Sequence, residues 1–216
     1  MKESDFEYLR QQMVINQIFK RQIDDPEILE AFRQVKRQLF VPEEQRKAAY
    51  DDCPLPIGQN QTISQPYIVA LMTKILDISP GMSVLEVGTG SGYQAAILSV
   101  LGAKVYGVER IPSLAKKAKE LLDSLGYKIE IRTGDGTLGW PEYAPYDRII
   151  VAAASPKIPQ TLIEQLKIAG KLVIPLEGRF HQDLTLVDKV SKSNIKTKVI
   201  SGCVFVPLIG KHGHKE

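Results

Sequence analysis

Residues 83–93 read Ser83-Val84-Leu85-Glu86-Val87-Gly88-Thr89-Gly90-Ser91-Gly92-Tyr93. A short run with valine and leucine enters three alternate glycines, and a helical apolar period begins at Tyr93. Glycine lets the chain turn sharply there and lets a ligand approach the backbone. A strand, a glycine loop and a helix in this order make the opening unit of a parallel sheet, whose ligands sit at the carboxyl ends of the strands.

The spacing discriminates between ligands. A dinucleotide fingerprint, GxGxxG, would place its third glycine at position 93, which is Tyr93. The glycines present, Gly88, Gly90 and Gly92, make GxGxG, preceded by Glu86 at the strand end. A pyrophosphate needs open amides at a helix N-terminus, and Glu86 would repel it. An acid there suits a cationic ligand. S-adenosylmethionine carries a sulfonium and an ammonium, so the electrostatics favour it. A glycine turn without a ligand is the plain alternative.

Short apolar runs and helical patterns alternate beyond this loop. Strands are expected at residues 104–108, 128–132, 148–152 and 171–175, with helices at 93–101, 113–125 and 159–168. Alternating β and α elements with apolar strands imply a mostly parallel, doubly wound sheet covered by helices on both faces. Two further anchors end successive strands. Glu109 follows Gly90 by nineteen residues, close to the ~20 at which an acid meets ribose hydroxyls. Asp135, in Gly134-Asp135-Gly136, can accept a hydrogen bond from an adenine amino group while the Gly136 amide donates to a ring nitrogen. Taken singly, Glu109 reads as a solvated strand end, and Asp-Gly is a common turn pair.

Upstream of the loop, residues 4–37 carry a helical period, with a second helix started by Asp24-Asp25-Pro26. Residues 50–64 are rich in proline, glycine and amides and read as an irregular, exposed segment. Ser64-Gln65-Pro66 opens a helix reaching about residue 77. After residue 182 the pattern is strand-rich, at 184–190 and 197–208, as a hairpin or antiparallel edge. The final Lys-His-Gly-His-Lys-Glu reads as a solvated tail.

Composition narrows the function. The chain has 216 residues, 44% hydrophobic and 25% charged, with a net charge of +3; it is neither disordered nor strongly basic. Its basic residues are dispersed, and the densest groups, Arg33, Lys36 and Arg37, then Lys116, Lys117 and Lys119, read as solvated helix faces. Nothing points to nucleic acid. Cys53 and Cys203 form neither a zinc pattern nor a disulfide scaffold, which fits a reducing cytoplasm and no metal. No apolar run reaches membrane-spanning length, and the acidic start is unlike a signal peptide.

Longer stretches carry a resemblance: Phe40-Val41-Pro42, Leu55-Pro56-Ile57-Gly58-Gln59, Gln61-Thr62-Ile63-Ser64-Gln65-Pro66, Leu85 to Gly92, Val108-Glu109-Arg110, Gly134-Asp135-Gly136, residues 146–151 and Phe205-Val206-Pro207-Leu208. The chain resembles class I S-adenosylmethionine methyltransferases, and within them the protein-L-isoaspartate (D-aspartate) O-methyltransferases. The glycine loop marks only the superfamily; the Thr-Ile-Ser and Phe-Val-Pro-Leu segments mark the family. The resemblance implies a Rossmann-like methyltransferase domain over residues 1–216. It would comprise an N-terminal helical and substrate-loop region (1–78), a cofactor-binding core (79–178) and C-terminal strands with a tail (179–216). It implies methyl transfer to the free α-carboxylate of L-isoaspartyl residues in damaged proteins, with D-aspartyl residues accepted by some members, by a monomer that releases S-adenosylhomocysteine. Glu86, Gly88, Gly90, Glu109, Asp135 and Gly136 map onto cofactor contacts, together with Gln61, Thr62, Ile63, Thr89, Gly92 and Arg110. Ser64 maps onto the active-site residue, and Thr62, Ile63, Ser64 and Val206 onto the segments that hold substrate.

The chemistry agrees with a carboxylate acceptor. A peptide carboxylate has a reference pKa near ~3.3–3.9 and is already an anion, so no base is required. Of the three histidines, His212 and His214 lie in the tail and His181 in a turn. Ser64 can donate to an anion at a helix start, or serve only as an N-cap. Residues 152–154, three alanines, leave room for a peptide, with no Asn/Asp-Pro-Pro-aromatic run of the kind that base-modifying methyltransferases use. The competing readings are a related methyltransferase for a small molecule or RNA, a non-catalytic module for altered peptides, and, more remotely, a dehydrogenase.

Overall fold

The computed structural model describes residues 1–215. Two helices open it, α1 (Glu3–Met13) and α2 (Pro26–Gln34). They are not one continuous helix: a π turn over Val14–Ile18 and a 3-10 turn over Phe19–Arg21 end at Gln22 with φ +67°. The Asp25 carboxylate then caps α2, accepting from the amides of Glu27 and Ile28 at 2.9 and 3.1 Å.

The segment expected to be irregular is in fact a hairpin, β1 (Leu55–Gly58) paired antiparallel with β2 (Gln61–Ile63). Gln59 and Asn60 form its tip, both with positive φ. Leu55, Ile57 and Ile63 are buried beneath it. The alternation Leu55-Pro56-Ile57 carries the strand period, hidden among turn-forming residues. Helix α3 (Pro66–Leu76) follows directly.

The main sheet comprises β3 (Ser83–Val87), β4 (Lys104–Glu109), β5 (Glu130–Thr133), β6 (Tyr146–Val151), β7 (Leu166–Glu177), β8 (Gln182–Lys189) and β9 (Ile195–Cys203). Their order is β5-β4-β3-β6-β7-β8-β9. Strands β3 to β7 pair in parallel, and β8 and β9 add an antiparallel edge. Helices α4 (Tyr93–Val100), α5 (Pro112–Ser124) and α6 (Gln160–Gln165) make the crossovers. The helix expected over 159–168 stops at Gln165 because its last residues enter β7, and the strand expected over 197–208 ends at Cys203.

Alternation divides the core between the two faces. Val84, Ile150 and Val173 pack with α2, α3 and α4 on one side. Leu85, Val87, Ile149, Val151, Leu172 and Ile174 pack with Trp140 and α6 on the other. A parallel sheet buried on both faces needs such runs. The chain winds outward from β3 to β5 and then returns to β6 on the other side of β3. This reversal opens a crevice at the carboxyl ends of β3 and β6, the usual ligand position.

The tail is not solvated. Ile209 bridges His214, the His214 amide donates to the Leu208 carbonyl at 2.8 Å, and His214 Nε2 lies 3.1 Å from Glu177 Oε1. Glycines at 210 and 213 permit this tight return. Glu216 lies outside the described residues.

Candidate active site

A cleft of about 1040 Å³, its open mouth included, occupies the crevice. Four segments build it. The first is the glycine loop after β3, where Gly88, Gly90 and Gly92 have φ of +86°, +54° and +87°. Glu86, Gly88, Thr89 and Gly90 line the cleft. Gly92 does not: it is the N-cap of α4, and a Cβ there would come within 2.9 Å of Leu122 Cδ1. Its hydrogen lets α4 lie close to α5, a packing requirement.

Glu86 is the electrostatic centre of the site. It is 1% exposed, and neither carboxylate oxygen has a hydrogen-bond partner. Burial pushes its pKa well above the ordinary carboxylate value; the nearby Thr89 hydroxyl opposes that rise and Glu109 adds to it. An acid left this way is expensive unless something supplies donors or positive charge.

The second segment follows β4. Glu109 Oε2 accepts from the Gly90 amide at 2.8 Å and Oε1 from the Ile111 amide at 2.9 Å. The carboxylate is thereby fixed against the glycine loop, and its remaining lone pairs stay available to vicinal hydroxyls. Arg110 and Ile111 also line the cleft.

The third segment follows β5. Gly136 lines the cleft, and a Cβ there would collide with Val87 Cγ1. Asp135 does not reach the lining. Its Oδ1 accepts from the Thr137 amide at 2.8 Å and the Thr137 hydroxyl at 2.6 Å, and its Oδ2 from the Lys211 amide at 2.8 Å. Burial works to raise its pKa, but these donors hold it below the usual value. The terminal turn is thus docked on the loop that presents Gly136.

The fourth wall is the acceptor side, where Gln61, Thr62, Ile63 and Ser64 come from the hairpin and the start of α3. Gln65 is the N-cap of α3, and no side chain caps it. The capping alternative for Ser64 is therefore not realised, and its hydroxyl is not committed to the helix. Opposite it, Val206 to Ile209 line the mouth. They are held there by Ala154, whose amide donates to the Val206 carbonyl at 2.8 Å while its carbonyl accepts from the Leu208 amide at 2.7 Å. Ala152 and Ala153 form the floor.

The structure thus brings together Gln61, Thr62, Ile63, Ser64, Glu86, Gly88, Thr89, Gly90, Glu109, Arg110, Gly136 and Val206 around one cleft. Gly92 and Asp135 stand behind it. Among the described residues, no histidine, lysine, aspartate or cysteine lines it, and His181, paired with Asp183, has a side chain 64% exposed. Two residues that sequence reasoning misses stand out. Tyr93 lines the cleft and is buried, with an unpartnered hydroxyl; the only signal is that it breaks the dinucleotide pattern. Arg37, expected on a solvated face, is 0% exposed. Helix α2 ends at Gln34 and the chain turns inward, so the helical period no longer describes position 37.

A doubly wound sheet that ends its first strand in a buried acid, with a glycine loop beneath and a second acid on the next strand, is the Rossmann-like methyltransferase arrangement. Comparison with known proteins narrows the class. The family model for protein-L-isoaspartate(D-aspartate) O-methyltransferase matches residues 9–213. A protein-L-isoaspartate O-methyltransferase of Petrotoga mobilis is 50% identical over 97% of this chain and 99% of its own length. One from Syntrophus aciditrophicus is 52% identical over 96% and 97%. Among solved structures, a protein-L-isoaspartate O-methyltransferase superposes with a TM-score of 0.87 at 27% identity, covering 94% of this chain and 67% of its own. The Plasmodium falciparum protein described as a β-aspartate methyltransferase in complex with S-adenosyl-L-homocysteine gives 0.82 at 27%, covering 93% and 98%. The chain belongs to the protein-L-isoaspartate(D-aspartate) O-methyltransferase family.

Proposed function

We propose that this protein methylates the free α-carboxylate of L-isoaspartyl residues in damaged proteins, with S-adenosylmethionine as donor. The carrying observation is a single cleft that joins the partnerless acid Glu86 to the Ser64 loop and offers amides, hydroxyls and acids but no general base. A carboxylate acceptor is anionic at neutral pH and needs none.

The residues present fit the donor. Glu86, buried without partners, answers the ammonium group; Glu109 takes the ribose hydroxyls; Gly136, packed against Val87, offers its amide to adenine. Bound there, S-adenosylmethionine supplies a methyl group activated by its sulfonium. The protein contributes alignment and exclusion of water. Ser64 donates its hydroxyl hydrogen to the acceptor carboxylate, Thr62 and Ile63 shape its entry, and Val206 closes the opposite side. Methyl transfer yields an ester and S-adenosylhomocysteine. The adjoining backbone amide nitrogen then attacks the ester carbonyl and expels methanol, and the succinimide so formed hydrolyses in part to normal aspartate.

The same proposal places a monomer in a reducing cytoplasm, acting on protein and not on nucleic acid. Two free cysteines and a dispersed basic charge support that. Among the described residues, no helix is long and apolar enough to cross a membrane. Incubation with labelled S-adenosylmethionine and paired peptides, one with isoaspartate and one with aspartate, tests the activity. Label on the isoaspartyl peptide alone is expected. Equal labelling of both overturns the specificity, and tight S-adenosylhomocysteine binding without labelling makes the protein a binding module.

A further inference from the structure

Arg37 lies in the 3-10 turn Arg37–Leu39, and its side chain is wholly buried. Its Nε donates to the Ala49 carbonyl and its Nη2 to the Ser64 carbonyl, each at 2.7 Å. The guanidinium stands over the Tyr93 ring, 4.8 Å from the centroid. Nη1 is buried without a partner, and no carboxylate among the described residues pairs with Arg37.

A buried, unpaired cation is a costly way to pin two carbonyls, since neutral donors do the same. Its placement supplies a reason for the charge. One of those carbonyls belongs to Ser64, whose hydroxyl is assigned to the acceptor. Tyr93, beneath the guanidinium, lines the same cleft and is itself held edge-on by Phe32 and Phe40, with centroids 6.1 and 5.5 Å away. The positive charge therefore backs the acceptor end, while the unpartnered acid Glu86 belongs to the donor end.

We infer that Arg37 is the positioning residue for the acceptor: it fixes the Ser64 main chain and makes that end of the cleft selective for an anion. The inference rests on carboxyl methylation as proposed above. It separates two contributions. The charge acts on the bound carboxylate, which loses its charge as the new bond forms, so its effect falls on peptide KM. The rigid two-point grip on Ala49 and Ser64 sets alignment, so its effect falls on kcat.

The test compares wild type, Arg37→Lys and Arg37→Met for peptide kcat and KM and for S-adenosylhomocysteine affinity. Arg37→Lys keeps the charge and loses the fork: kcat falls at least tenfold and KM stays within threefold. Arg37→Met loses both: KM rises at least tenfold as well. S-adenosylhomocysteine affinity stays within threefold in each. Variants whose kcat and KM match wild type overturn the inference, as does a parallel collapse of S-adenosylhomocysteine binding, which marks a structural staple. If Arg37→Met fails to fold, Arg37→Lys decides: the kcat loss at constant KM supports the role and wild-type turnover removes it. A wild-type protein that binds S-adenosylhomocysteine but methylates no isoaspartyl peptide overturns the function itself, and the inference with it.

Discussion

Replacing Ser64 with alanine separates a chemical role from a structural one. Were Ser64 the N-cap of α3, its loss would cost about 1 kcal/mol of stability and leave chemistry intact. The cap is Gln65, and no side chain caps the helix. The expected change in stability is therefore within about 0.5 kcal/mol, as for a surface substitution away from special features. The activity should behave otherwise. A hydrogen bond to a charged partner contributes about 1.5–3 kcal/mol. At about 1.36 kcal/mol per decade, this is a roughly 10- to 150-fold fall in kcat/KM. Its distribution is also constrained. The attacking oxygen loses negative charge as the carbon–oxygen bond forms, so a donor bonded to it helps the ground state more than the transition state. A donor on the other oxygen orients the carboxylate throughout. Ser64 is the orienting donor, the contact that Arg37 holds in line, so the loss should appear mainly in kcat, with a smaller rise in KM. Initial rates of methyl incorporation into an isoaspartyl peptide give both constants, and a urea melt of the same samples gives the stability. A variant about 1 kcal/mol less stable, with kcat/KM within threefold of wild type, would refute the assignment and restore Ser64 to a capping role.

Three other outcomes follow from the same geometry. Glu86 titrates near 4.5 when unfolded and well above that when folded. Below the unfolded value both states are protonated and nothing is lost; as pH rises above it, the unfolded state ionises first and ligand-free stability falls. Urea melts between about pH 5 and pH 8 should therefore show Glu86→Gln gaining on wild type as pH rises, and a difference constant with pH counts against the buried charge. Gly92→Ala places a Cβ 2.9 Å from Leu122 Cδ1 at a φ of +87°. It should lower stability by about 1–3 kcal/mol, and an unchanged melt would show that α4 and α5 can separate freely. Removing residues 210–216 deletes the Lys211 amide bond to Asp135 and the His212 amide bond to Thr137. At about 0.5–1.5 kcal/mol net for each of these two bonds, their loss should weaken S-adenosylhomocysteine binding roughly 5- to 150-fold in calorimetry; undiminished affinity would free the Gly136 loop from dependence on the tail.

What the sequence reveals follows its periods. The parallel strands are legible because burial on both faces demands apolar runs, and Glu86 and Glu109 because each ends such a run. The hairpin over 55–63 escapes notice because two buried positions, Leu55 and Ile57, alternate within a proline- and glycine-rich stretch, where composition outweighs period. Docking of the tail is invisible for another reason. It depends on main-chain amides of Lys211 and His212 meeting Asp135 and Thr137, and main-chain donors carry no sequence signal. Asp135 itself is found by its place after β5, but its carboxylate accepts from the Thr137 amide and hydroxyl and the Lys211 amide, while its neighbour Gly136 meets the cleft. Ser64 is correctly placed at a helix start, and only the backbone shows that the cap is the next residue.

Arg37 and Glu86 belong to one physical problem. Each is buried, and no opposite charge among the described residues pairs with it. The fold keeps them apart, the acid at the end of β3 and the cation behind the Ser64 loop. In the proposed assignment, two reactants bearing opposite charges each find a partner only when bound at its own end, the ammonium of the donor at Glu86 and the acceptor carboxylate before Arg37. The reverse arrangement meets like charge at both ends, so orientation of donor and acceptor follows from electrostatics before any contact is refined. The order of loading then depends on burial. Glu86 sits 1% exposed beneath the glycine loop, whereas Ser64 and Val206 border the mouth, so a peptide bound first would cover the donor's route. Product inhibition patterns should accordingly show S-adenosylhomocysteine competitive with S-adenosylmethionine and not with peptide. Competition between S-adenosylhomocysteine and peptide would mean that the two ends of the cleft are not separately loaded.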